Sequence, residues 1–154
     1  MNYHLLSGVP HHITLWRKPG PLLPGPADCS ELLNLLRRQA AAGNIHLLAY
    51  CLLPEKAQLV LESSSPGSLR RCMRCIQDRF RFPGSLRSRS RSFDRAHVQT
   101  VLHYAEREPL RQGIVRRAED FEWSSAVAHV WGIDGKGVLW MPWWWEKARY
   151  LDWR

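Results

Sequence analysis

Lysine is scarce in this chain: only 4 of its 22 basic residues are Lys, and the other 18 are Arg. Acidic residues are also few, 14 against those 22, which leaves a net charge of +8 and a pI near 9.9. The imbalance matters because a guanidinium is a planar fork that engages phosphate oxygens in pairs, whereas an ammonium acts as a point charge. A nucleic acid is therefore the first partner to expect. No apolar run approaches the roughly 20 residues needed to cross a bilayer, so no membrane partner is expected. The opening residues, MNYHLLSGVPHH, have neither a basic stretch nor a long apolar core and do not read as a secretory signal. A cytoplasmic location and reduced thiols follow from that reading. Close cysteine pairs are few: Cys72 and Cys75 form one, and neither Cys29 nor Cys51 supplies a second. That argues against zinc and for thiols that pack. There is no internal repeat, and the length suits a single core.

What the chain does contain is a regular alternation of strand and helix patterns. Gly8–Arg17, GVPHHITLWR, has the β-branched and aromatic run of a first strand. The proline-rich Lys18–Asp28 is a loop. Asp28 or Ser30 can cap a helix carrying Leu32, Leu33, Leu35, Leu36 and Ala40 on one face, ended by Gly43-Asn44. Ile45–Leu53 and Ala57–Glu62 read as two strands joined at Pro54-Glu55. Pro66 suits the start of a second helix, in which Leu69, Met73, Ile76 and Phe80 share a face. Leu86–Phe93 alternates Arg with Ser and fits either a fourth strand or a loop. A third helix is expected over Ala96–Glu108, before Pro109. The order strand, helix, strand, strand, helix, strand is that of a ferredoxin-like split βαβ fold. An α+β domain over 1–132 is expected, its antiparallel sheet carrying helices on one face, with a Trp-rich tail over 133–154.

Two segments resemble the REP-associated tyrosine transposases of the single-tyrosine HUH superfamily (the IS200-like transposases). Leu47–Glu62, LLAYCLLPEKAQLVLE, is similar to the family's AYCLMPNHVHLLLE. His103–Ser125, HYAEREPLRQGIVRRAEDFEWSS, is similar to RYIERNPVRAGLVRRPEDYPWSS. The likeness spans roughly residues 8 to 132. It implies DNA transposition chemistry: a His-x-His pair holding Mg or Mn and a tyrosine that becomes linked to a 5′ phosphate. It also implies repetitive palindromic hairpins as targets. At the places of the His pair this chain has Lys56 and Gln58. Counting along the family's M-x-x-l-x-x-x-Y helix from Met73 places Phe80 where a tyrosine is expected, and phenylalanine has no nucleophile. The chain is also shorter after Phe80 than the family pattern, and Arg87 stands where the family has tryptophan. These departures imply no catalytic residues, no metal and no cofactor: a degenerate, domesticated pseudoenzyme.

The candidate binding residues form an arginine belt. Arg70, Arg71, Arg74, Arg79 and Arg81 fall on the second helix or just after it, and Arg87, Arg89 and Arg91 would project to one side of a strand. His12 joins them as a DNA-contacting position, while His11 points to the opposite face. Tyr50 and Tyr104 are expected in the core. Of the eight tryptophans, Trp140, Trp143, Trp144, Trp145 and Trp153 lie in the tail, where docking onto the domain's own body or a second subunit is favoured over base stacking. The leading expectation is a protein that binds single-stranded or hairpin DNA without cutting it. The alternatives are an active transposase or nuclease with a non-standard site, and a protein-interaction module using the Trp-rich tail.

Overall fold

The computed structural model describes residues 8–141. Most of the tryptophan tail, including Trp143, Trp144, Trp145 and Trp153, lies outside them. Strands β1 (His11–Lys18), β2 (Ile45–Leu52), β3 (Lys56–Ser63) and β4 (Ser85–Ser92) form one sheet in the order β2-β3-β1-β4. All three pairings are antiparallel. Helices α1 (Pro26–Ala41) and α2 (Pro66–Phe80) make the two crossovers, which gives the ferredoxin-like α+β arrangement that the sequence order predicts. Among the described residues no helix is long and apolar enough to cross a membrane.

Local chemistry sets the helix starts. α1 begins at Pro26, ahead of the expected cap, because proline fits the first turn and the Asp28 carboxylate reaches back to the Gly25 N–H at 3.0 Å. At α2 the Ser65 hydroxyl accepts from the Ser68 N–H at 3.1 Å, with Pro66 as the first helical residue. The third helical segment is shorter than expected. A 3-10 turn over Arg95–His97 leads into α3 (Val98–Glu106), and Pro109 opens a separate short helix, α4 (Glu108–Arg111), because a proline fits a helix's first turn but not its interior. A further 3-10 turn at Ala118–Asp120 and α5 (Ala126–Trp131) follow.

Period-two alternation divides the sheet into two faces with different fates. Ile13, Leu15, Leu59 and Leu61 point to one face, where α1 and α2 bury Leu32, Leu33, Leu36, Cys72, Ile76 and Phe80 against them. On the other face α3 covers only the β2–β3 half, packing Leu102 and Ala105 on Leu48, Ala49 and Val60. The β1–β4 half of that second face carries no helix.

The two sheet edges also differ. The outer edge of β2 is closed by Trp123–Ser125: Leu52 N–H donates to the Trp123 carbonyl at 2.8 Å, and Ser125 N–H to the Tyr50 carbonyl at 2.9 Å. The buried Glu106 carboxylate accepts from the Ser125 hydroxyl and is paired with His129 Nδ1, both at 2.5 Å, which ties the end of α3 to that edge. Trp140, the first tryptophan of the tail, stacks its ring on His46 at 4.4 Å and donates its backbone N–H to the Leu47 carbonyl at 2.8 Å, so it docks on the domain's own body. Cys29, Cys51 and Cys72 are buried free thiols; burial pushes them up to about 11, 12 and 12, which suits packing rather than ligation.

Candidate nucleic-acid interface

The uncovered half of the second face forms a cleft of about 420 Å³ between β4 and α3. Its floor follows from strand register. Thr14 on β1 lies between Gln58 on β3 and Arg89 on β4, and Trp16 lies between Lys56 and Arg87. His12 lies opposite Arg91. Residues directly opposite in a sheet share a face, so cations on both neighbouring strands flank β1. Tyr104 from α3 lines the opposite wall.

Hydrogen bonds and ion pairs fix this floor. His12 Nε2 donates to the Gln58 carbonyl oxygen at 2.8 Å, and Gln58 is itself buried. Burial lowers the His12 pKa from its ordinary value, as do Arg91 and Lys56, against the opposing effect of the Gln58 hydrogen bond. The imidazole is thus neutral at pH 7. Lys56 Nζ sits 2.8 Å from the Glu108 carboxylate, which also accepts from Arg111 and from Gln112 at 3.1 Å. Burial alone would raise Glu108, but the hydrogen bonds from Lys56, Gln112 and Arg111 outweigh it and bring the carboxyl down to about 2. The Arg111 guanidinium lies 4.1 Å from the centre of the Tyr104 ring, so one ionic network runs from Lys56 through Glu108 to the tyrosine.

The sequence candidates separate across the sheet. Lys56, Gln58, His12, Arg89 and Arg91 come together in the cleft. Arg87 shares their face and is exposed. Arg70, Arg71, Arg74 and Arg79 belong to α2, and Arg81 follows it; that helix packs on the opposite face, so the sheet stands between them and the cleft. Arg79 pairs there with Glu31, and Arg71 donates to Asn44. Phe80 is also on that far side, 4% exposed in the core, with its carbonyl accepting from Arg17. It therefore does not meet Lys56 and Gln58, and the missing hydroxyl at residue 80 says nothing about the cleft. Tyr104 corrects the opposite expectation: it is 54% exposed and brings its phenol to the cleft, not to the core. A sequence signal existed, because Val98, Val101, Leu102 and Ala105 mark the buried side of α3 and Tyr104 falls off that side.

The cleft residues do not fit a divalent metal. Lys56 brings an ammonium, Gln58 has one amide oxygen already held by His12, and the nearby carboxylate of Glu108 is held by two cations. Among the described residues no three His, Cys, Asp or Glu side chains gather to hold an ion.

The fold and cleft together define an α+β sheet protein with one open, cationic face. No family model matches the chain, and none of the curated proteins matches it. Among solved structures, a REP-associated tyrosine transposase bound to a REP hairpin is similar in fold, with a TM-score of 0.64. The match covers 88% of this chain and 86% of that one at 14% sequence identity, so the likeness is one of fold.

Proposed function

We propose that this protein binds single-stranded or hairpin DNA in the cleft between β4 and α3, without metal-dependent cleavage. The observation that carries the reading is the floor of the cleft. Arg89 and Arg91 line it on the half of the sheet that no helix covers, and Lys56, paired with Glu108, borders it from β3. Cations so placed neutralise successive phosphates and release their counterions on binding. The neighbour in fold was solved bound to a REP hairpin, which supports a hairpin-forming nucleic acid as the partner. Lys56 at the place of a metal ligand supplies fixed positive charge and no coordination. The measurement is hairpin-DNA affinity as a function of salt. Binding should weaken steeply with salt, and Arg89→Ala and Arg91→Ala should each make the log–log slope shallower by about one. No binding at low salt overturns the reading.

A second reading, phosphoryl transfer with a non-standard site, is favoured by one observation: the Tyr104 phenol lines the same cleft. Attack of its oxygen on a phosphodiester would form a phosphotyrosine bond as the P–O bond to the leaving deoxyribose breaks and that oxygen takes up a proton. A covalent protein–DNA adduct formed by the wild type and abolished in Tyr104→Phe supports transfer. No adduct with or without Mg²⁺ leaves the protein a binder only.

A further inference from the structure

The floor of the cleft contains a tryptophan that neither the ionic network nor the core explains. Trp16 is partly exposed and faces the cleft, while its β1 neighbours Leu15 and Arg17 point to the buried helical side. In register it is flanked by Lys56 on β3 and Arg87 on β4. Side chains directly opposite across strands stand about 5 Å apart at Cβ, so a large aromatic face lies between two cations. The part of the indole that faces the polar cleft is costly to hydrate, and its neighbours across the strands are cations. The ligand that suits this row has a flat π face and negative charge on either side of it. An unpaired nucleotide has both: its base stacks on the ring and its flanking phosphates meet the cations. A paired base inside a duplex does not expose that face.

We propose that Trp16 is a base-stacking station for one unpaired nucleotide, so that the cleft selects single-stranded segments flanking a hairpin over its duplex stem. The next residue of β1 on this face is Thr14, whose hydroxyl is the nearest side-chain group in the row beside the stacked base. The inference rests on the DNA-binding reading above and adds to it the state of the DNA that is recognised. Arg89 and Arg91 would hold the backbone whatever the sequence, whereas Trp16 requires a base free of its partner.

The test compares a DNA hairpin carrying an unpaired tail with the same hairpin blunt-ended, by fluorescence anisotropy at fixed salt. The tailed probe should bind about 10-fold tighter or more, within the usual range for one stacked base. Trp16→Ala should erase the difference and leave the salt slope unchanged, and Trp16→Phe should restore most of it. Should Trp16→Ala fail to fold, the wild type still decides. Abasic substitution along the tail should find one nucleotide whose base carries the preference. Equal affinity for the two probes, or a tail preference indifferent to every abasic position, overturns the stacking station and leaves DNA binding intact. Failure of both probes to bind at low salt overturns DNA binding itself.

Discussion

Tyr104 and Phe80 show how much one residue's orientation decides. Phe80 packs among Ile76, Cys72 and Leu36 beneath the sheet. Restoring a hydroxyl by Phe80→Tyr should therefore yield no DNA adduct, and it should lower stability by about 1–3 kcal/mol in urea unfolding, because the phenol is buried without a designed partner. Glu108 makes a pH-dependent claim at the same scale. Its carboxyl falls from an ordinary 4.5 to about 2, so the stabilisation from its ion pairs is present at all pH above 4.5. It is lost as pH falls from there toward 2. Glu108→Gln should lower stability by about 1–2 kcal/mol at pH 7, the full shift being discounted because Lys56 and Arg111 are each about a third exposed. It should also flatten the acid limb of the pH–stability curve. His12 acts in the other sense on binding. Its lowered pKa keeps it neutral at pH 7, and protonation as pH falls below that value adds charge beside Lys56 and Arg91. DNA affinity should rise as pH falls through that range, and His12→Gln should abolish the rise in anisotropy titrations.

Elements hold the cleft open by being anchored elsewhere. The helix that presents Tyr104 is fixed through Glu106, wholly buried and bonded to Ser125 and His129. Glu106→Ala removes a shared acceptor from two buried groups and should cost about 3 kcal/mol in chemical unfolding, with loss of DNA binding only as the fold is lost. The turn from α2 into β4 depends on Gly84, whose φ of 89° lies in the left-handed region. A Cβ there would stand 3.0 Å from the Lys18 carbonyl oxygen. Gly84→Ala should destabilise by about 2 kcal/mol, read as a lower unfolding midpoint. The Trp123–Ser125 segment resembles a transposase motif in sequence, and its visible work in this fold is to close the outer edge of β2 and hold α3 in place.

At the scale of the whole molecule, one sheet divides the cations into two populations. Arg87, Arg89 and Arg91 share a face with the cleft, and the arginines on α2 do not. Replacing Arg70 and Arg74 together with Ala should leave the hairpin salt slope close to wild type, while the β4 replacements reduce it. Much of this architecture was legible beforehand. Apolar periodicity and turn residues marked three strands and both crossover helices, because each is a local property of spacing, while the Arg-Ser alternation of Leu86–Phe93 fitted a strand or a loop until pairing with β1 made it β4. Alternation along β1 separated His11 from His12, and Lys56 and Gln58 were singled out by the resemblance of Leu47–Glu62 to a family motif. The sequence alone determined charge, element order and which residues could face one way within a strand or helix. Only the tertiary structure decided which faces meet. It put α2 and α3 on opposite sides of the sheet, which buried Phe80, divided the arginine belt, and brought Tyr104 and Glu108 beside Lys56. The physical reason is that periodicity fixes a side chain's direction relative to its own element, while packing of apolar faces across the sheet fixes the directions of the elements relative to one another.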